Sequence, residues 1–193
     1  MKRGVRISAI CVAVLLSVYY FYGLEIIIAF IASVCVHELG HIAGILLFGG
    51  RIKSFSLEAG GFSMDGAGLV SRIGEIVALF FGPALGVILA AACVYINFSK
   101  YDYVFKAMGR ISFWLSVFNL LPAMPLDGGR ITERMLSVII SREKSEKILE
   151  TSGVISGIST ALMGAFSSKL IFVGGGICLL IAQTGIVKRR RVL

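Results

Sequence analysis

His37 and His41 are the only two histidines in this chain, and they stand four residues apart in Val36-His37-Glu38-Leu39-Gly40-His41. On a helix that spacing projects both imidazoles from one face. Two imidazoles so placed can grip one zinc ion, and the intervening Glu38 is placed to activate a zinc-bound water. Apolar runs flank the motif, residues 26–32 before it and 42–48 after it. Ionisable groups inside such runs are costly to bury and mark function. The bland alternative, two unrelated helix histidines beside a surface glutamate, does not explain that setting.

A site of this kind takes a third protein ligand, and a carboxylate suits zinc. Asp127 is the leading candidate. It lies in Asn119-Leu120-Leu121-Pro122-Ala123-Met124-Pro125-Leu126-Asp127-Gly128-Gly129, which holds two of the chain's three prolines. Prolines cannot continue a regular helix, so unwound backbone is predicted here, leaving Asp127 able to point back into a helix bundle. The same aspartate before Gly-Gly also reads as an ordinary turn residue. Glu25 and Glu75, near span ends, and Glu58 and Asp65, in a loop, are the competing carboxylates. Asn119 reads most simply as a helix-packing hydrogen-bond residue. Its functional reading is a donor to a substrate carbonyl or oxyanion. Cys11, Cys35, Cys93 and Cys178 lie in apolar segments without paired spacing and read as small buried residues.

The elements that position these groups are apolar helices. The chain is 57% hydrophobic and 16% charged, with a mean hydropathy of +0.91; a soluble domain carries about a quarter charged residues. The composition predicts an all-α polytopic membrane protein. Apolar length predicts about six transmembrane helices, near 7–22, 24–48, 73–98, 103–121, 148–166 and 170–187. Lys106 and Arg110 make the fourth the weakest. The basic start of the chain resembles a signal peptide, but Tyr19-Tyr20-Phe21-Tyr22 offers no cleavage site and a second span follows at once. No linker, repeat or separate soluble domain is evident, so residues 1–193 read as a single membrane-embedded domain.

After the second span, residues 49–72 interleave apolar and polar positions about Ala59-Gly60-Gly61. They read as a short β-hairpin or a glycine-rich loop. A hairpin edge would offer a peptide unpaired backbone groups. In the third span, Gly82 and Gly86 form a small-xxx-small pair that lets helices approach closely. Residues 130–150 are rich in charge and read as a solvated cytoplasmic helix. The glycine-containing fifth and sixth spans read as packing or gating elements.

Fifteen of the nineteen lysines and arginines fall on one side of this six-span arrangement, including Arg51, Lys53, Arg72, Arg130, Arg142 and the tail at 188–191. The positive-inside rule then puts both termini in the cytoplasm. His37 would lie roughly 16 Å, and His41 roughly 10 Å, from Phe48 along the second span. The site therefore sits toward the cytoplasmic half of the bilayer. Charges in short juxtamembrane loops set topology and contact the lipid bilayer; no nucleic-acid partner is expected from the net charge of +8.

Two separated motifs, His37-Glu38-Leu39-Gly40-His41 and Asn119-Leu120-Leu121-Pro122-Ala123-Met124-Pro125-Leu126-Asp127-Gly128, resemble those of the site-2 proteases, the intramembrane zinc metalloproteases. The resemblance implies one Zn2+ per chain held by His37, His41 and Asp127, with Glu38 as general base and a catalytic core of about 24–130. The compact form resembles the stage IV sporulation protein FB group, whose members cleave a membrane-associated pro-sigma factor. That implies a membrane-associated protein substrate, with membrane regulatory or inhibitory proteins as further partners. The rival class is a non-catalytic, client-binding protein derived from a protease; it would be marked by a lost ligand or base, and none is lost. A metal transporter would want polar residues on more spans.

Overall fold

The computed structural model describes residues 9–58, 61–67, 71–95, 102–166 and 170–190, without the side chains of 9–18, 21, 51–67, 142, 170–172 and 185–190. The basic residues Lys2, Arg3, Arg6, Lys100, Lys169 and Arg191 fall outside the described residues. The elements in chain order are α1 (Ala9–Leu47), β1 (Arg51–Glu58), β2 (Gly61–Ala67), α2 (Arg72–Tyr95), α3 (Asp102–Asn119), α4 (Asp127–Ile139), α5 (Arg142–Phe166) and α6 (Leu170–Arg190). They form two compact units, Met1–Phe118 and Asn119–Leu193.

The expected architecture is corrected in its span count. Among the described residues three helical stretches, not six, are long and apolar enough to cross a membrane: Tyr22–Leu47, Arg72–Tyr95 and Glu143–Phe166. The others fail for separate reasons. Gly23, with φ 81° and ψ 177°, interrupts α1; only glycine tolerates that backbone at no cost. α3 has 18 residues, but Asp102, Lys106 and Arg110 lie within it. In α6 the described residues hold a shorter apolar helix, Val173–Thr184. The chain is still an integral, multi-pass membrane protein. Nor is it purely helical: β1 pairs with β2 antiparallel, from Arg51 opposite Ala67 to Glu58 opposite Gly61, with an irregularity between Ile52 and Ser54.

In the first unit α1 and α2 pack almost backbone to backbone. A Cβ on Gly44 would lie 2.7 Å from the Ala78 Cα, and one on Gly40 would lie 2.8 Å from the Gly82 Cα. Two small-xxx-small pairs, Gly40/Gly44 and Ala78/Gly82, thus face each other, as close helix approach requires. Gly86, one turn on, serves another neighbour: its Cβ would run into the Ser116 Oγ of α3. α3 is tied to α1 through Ser33, whose hydroxyl lies 2.8 Å from the Ala29 carbonyl and 3.3 Å from that of Met108.

In the second unit α5 and α6 cross where Gly157 and Gly176 meet; a Cβ on Gly176 would lie 2.5 Å from the Gly157 carbonyl oxygen. The charged stretch 130–150 is not one helix. α4 stops at Ile139 and α5 begins at Arg142. α4 also exposes Met135, Val138 and Ile139, so it is more amphipathic than a fully solvated helix.

Candidate metal centre

His37 and His41 lie well inside the regular part of α1, and both are buried. The Nε2 atoms of the two rings are 3.2 Å apart, and the rings are nearly perpendicular, 80° with centroids 4.9 Å apart. The Nδ1 of His41 lies 3.1 Å from the Ala78 carbonyl oxygen on α2. A carbonyl can only accept, so this Nδ1 carries the proton and donates. The Nε2 of His41 then presents its lone pair, the arrangement that a metal-ligating histidine requires.

The donor pair fits zinc. Tetrahedral ligands with zinc–nitrogen bonds near 2.0–2.1 Å sit about 3.3 Å apart, close to the 3.2 Å between the two Nε2 atoms. Space for the His41 ring is made by an absence: a Cβ on Gly82 would collide with its Nε2, and would lie 2.7 Å from its Cδ2. Sequence reasoning assigned Gly82 to helix packing alone. Its second role shows only when the facing helix is in place.

Asp127 opens α4. The backbone between α3 and α4 is irregular over 120–126. The carboxylate occupies the first turn, where the exposed N–H groups and the helix dipole favour a negative charge. No side-chain cap bond is made at Leu126. The two glycines that follow are needed for contact. A Cβ on Gly128 would run into the Leu120 carbonyl, and one on Gly129 would lie 2.6 Å from the Ala123 carbonyl oxygen. The strap 120–126 therefore folds directly against the first turn of α4. Two long-range bonds hold it. Ser152 Oγ on α5 donates to the Pro122 carbonyl at 2.6 Å, and Gln183 Nε2 on α6 donates to the Met124 carbonyl at 2.6 Å. Neither residue was singled out by sequence reasoning. The available signal was a lone amide, Gln183, in an otherwise apolar run.

His37, His41 and Asp127, all buried, offer ligand atoms that lie within 4.8 Å of one another. Among the described residues this is the one group of three or more metal-capable side chains. Glu25 is exposed, Glu75 is half-buried, and neither joins it. Cys35, two residues before His37, is also outside it and exposed. The side chains of Glu58 and Asp65 lie outside the described residues. Glu38 and Asn119 are both half-buried.

Comparison with known proteins bears on this arrangement. Residues 96–163 match the model of peptidase family M50. A zinc metalloprotease of Methanocaldococcus jannaschii is 31% identical over 160 residues, covering 79% of this chain and 46% of its own length. A Synechocystis protein is 28% identical over 145 residues, covering 70% of this chain and 37% of its own. The chain thus spans less than half the length of either relative. Among solved structures, a site-2 protease from Methanocaldococcus jannaschii has a TM-score of 0.68 at 24% identity, covering 90% of this chain and 84% of that one. The two share a fold.

Proposed function

The chain belongs to the site-2 protease family, peptidase family M50, and from that premise we propose that it is an intramembrane zinc metalloprotease. Its reaction is the hydrolysis of a peptide bond in or near a membrane segment of a protein substrate. The observation that carries this is the buried His37, His41 and Asp127 group with Glu38 next to the first ligand in sequence.

His37 and His41 would hold zinc through their Nε2 atoms, and Asp127 through a carboxylate oxygen. Zinc bound there would supply Lewis acidity that activates a water for attack. Glu38 takes the proton of the attacking water and passes it to the leaving amine, so that proton balance closes within the site. Asn119, the last residue of α3, donates from its side-chain amide to the substrate carbonyl oxygen as charge develops there. A substrate helix must unwind to expose the scissile amide. The outer edges of the β1–β2 pair offer backbone groups to an extended peptide.

The residues involved span 24–130, which we take as the catalytic core of one membrane-embedded domain. The finer assignment is a membrane-associated pro-sigma factor as substrate, cleaved during sporulation, with membrane regulatory proteins controlling access. The resemblance to the stage IV sporulation protein FB group supports it. Basic-residue distribution supports placing both termini and the site toward the cytoplasm. Termini on one side require an even number of crossings, one more or one fewer than the three long apolar helices. Reporter fusions after Arg51, Ser141 and Leu193 test this; an external signal at any one of them overturns that part.

The test of the reaction is mass spectrometry of candidate membrane substrates, pro-sigma factors among them, co-expressed with wild type or Glu38→Gln. A new terminus generated by wild type and absent with the variant is expected. Identical termini in both would sink the proposal.

A further inference from the structure

The strap 120–126 contains two residues, Pro122 and Pro125, that have no N–H, and it carries carbonyls that no helix ladder serves. Two are met by backbone: Ala123 N–H donates to Leu121 at 2.7 Å, and Leu126 N–H donates to Ala123 at 2.9 Å. Those of Pro122 and Met124 are met from α5 and α6, by Ser152 and Gln183. The Met124 bond is part-buried, where losing the partner costs part of the desolvation energy of the carbonyl, while the Pro122 bond is exposed and costs less to lose; of the two, Gln183 bears more on which strap conformation is stable. Gln183 is almost wholly enclosed, at 3% exposure. Its amide lies flat on α5 at Gly153, where an added Cβ would sit 2.5 Å from Cδ and 2.9 Å from Oε1. Gly153 is thus the slot that lets the amide reach Met124.

We infer that Gln183, seated at Gly153 and assisted by Ser152, is the positioning element for the Asp127 ligand: α5 and α6 clamp the strap that sets where α4 begins. The chain of contact runs from Gln183 to the Met124 carbonyl, then from the strap to Gly128 and Gly129, which admit no Cβ against it. Asp127 lies between these two ends of the strap contact. This inference rests on Asp127 being a zinc ligand.

Zinc affinity of the purified full chain, measured by competition with a chelator, tests it without requiring turnover. Gln183→Met keeps the volume and removes the donor. Gly153→Ala keeps the donor and pushes the amide off its carbonyl. Both are expected to weaken zinc about 10- to 100-fold, the range for partners that orient a ligand. Ser152→Ala is expected to do less, because its hydroxyl also reaches the Leu149 carbonyl at 3.1 Å. Thr184→Val on the same helix, which loses only a local bond to Ile181, should bind zinc as wild type does.

A structural clamp alone would lower thermal stability equally in the presence and absence of Asp127. A positioning clamp gives a coupled result: in an Asp127→Ala background, Gln183→Met should produce no further loss of residual zinc affinity. Wild-type affinity in both Gln183→Met and Gly153→Ala, or the same loss with and without Asp127, overturns the inference. Failure of the underlying reading looks different: Asp127→Ala would bind zinc as tightly as wild type.

Discussion

Ring nitrogens one helical turn apart, a carbonyl on the facing helix and a missing Cβ place the histidine pair. The aspartate is held by seven residues of irregular backbone, two glycine contacts, and side chains 30 and 59 residues away from the carbonyls they meet. The difference teaches where positional precision originates. A regular helix satisfies its own backbone, so His37 and His41 take their common face from local spacing, and the facing helix adds the Ala78 carbonyl and room for the His41 ring. Irregular backbone has no ladder of its own. Its carbonyls are answered partly within the strap and partly from α5 and α6, so the placement of Asp127 draws on distant helices.

The largest effect expected on either side of that comparison belongs to the base, which is no ligand. Glu38→Gln keeps shape and zinc but cannot accept the water's proton, and cleavage should fall about 10²–10⁴-fold. An in vitro cleavage assay with metal content on the same samples checks it; full-rate cleavage by metallated variant rules the mechanism out.

Next comes ligand loss from each region in turn. His37→Ala and Asp127→Ala should each purify with on the order of a tenth or less of the wild-type zinc. Elemental analysis decides. Full zinc in Asp127→Ala would break the comparison, since the strap would then position nothing.

A pair of glycine variants sharpens it. Gly128→Ala drives a Cβ into the backbone carbonyl of Leu120, which cannot swing aside, and should cost about 1–3 kcal/mol of stability. Gly82→Ala drives one into the His41 ring. There alanine also gains about 1 kcal/mol of helix propensity, so apo stability should change little while zinc affinity falls. Thermal melts with and without a chelator separate the two. Equal melting losses in both apo variants would show that the histidine region is no better self-supported than the strap.

The smallest effect is expected where a local bond replaces a distant one. Thr132 Oγ donates to the Gly128 carbonyl at 2.7 Å within α4. Thr132→Val should cost about 0.5–1.5 kcal/mol in the melt and leave zinc affinity unchanged. A tenfold loss of affinity there would mean that α4 itself, more than the strap, positions Asp127.

Much of the site was legible in the sequence because helical spacing is a local property. The four-residue spacing of His37 and His41 states their common face without any knowledge of neighbours. The two prolines around Ala123-Met124 likewise announce irregular backbone before Asp127. The span count was not legible in the same way. Apolar length alone gave six crossings. The break at Gly23 and the charges of α3 are features that apolar length does not weigh, and the described residues hold three long apolar helices.

Residue chemistry and spacing by themselves determined the common face of His37 and His41 and the irregular strap before Asp127, because each follows from covalent geometry within a few residues. Only the tertiary structure decided that Gly82 yields space to His41, that the Ala78 carbonyl sets its tautomer, and that Gln183 and Ser152 hold the strap. These are contacts between helices, and a carbonyl's partner or a ring's clearance depends on which backbone atoms packing brings within about 3 Å.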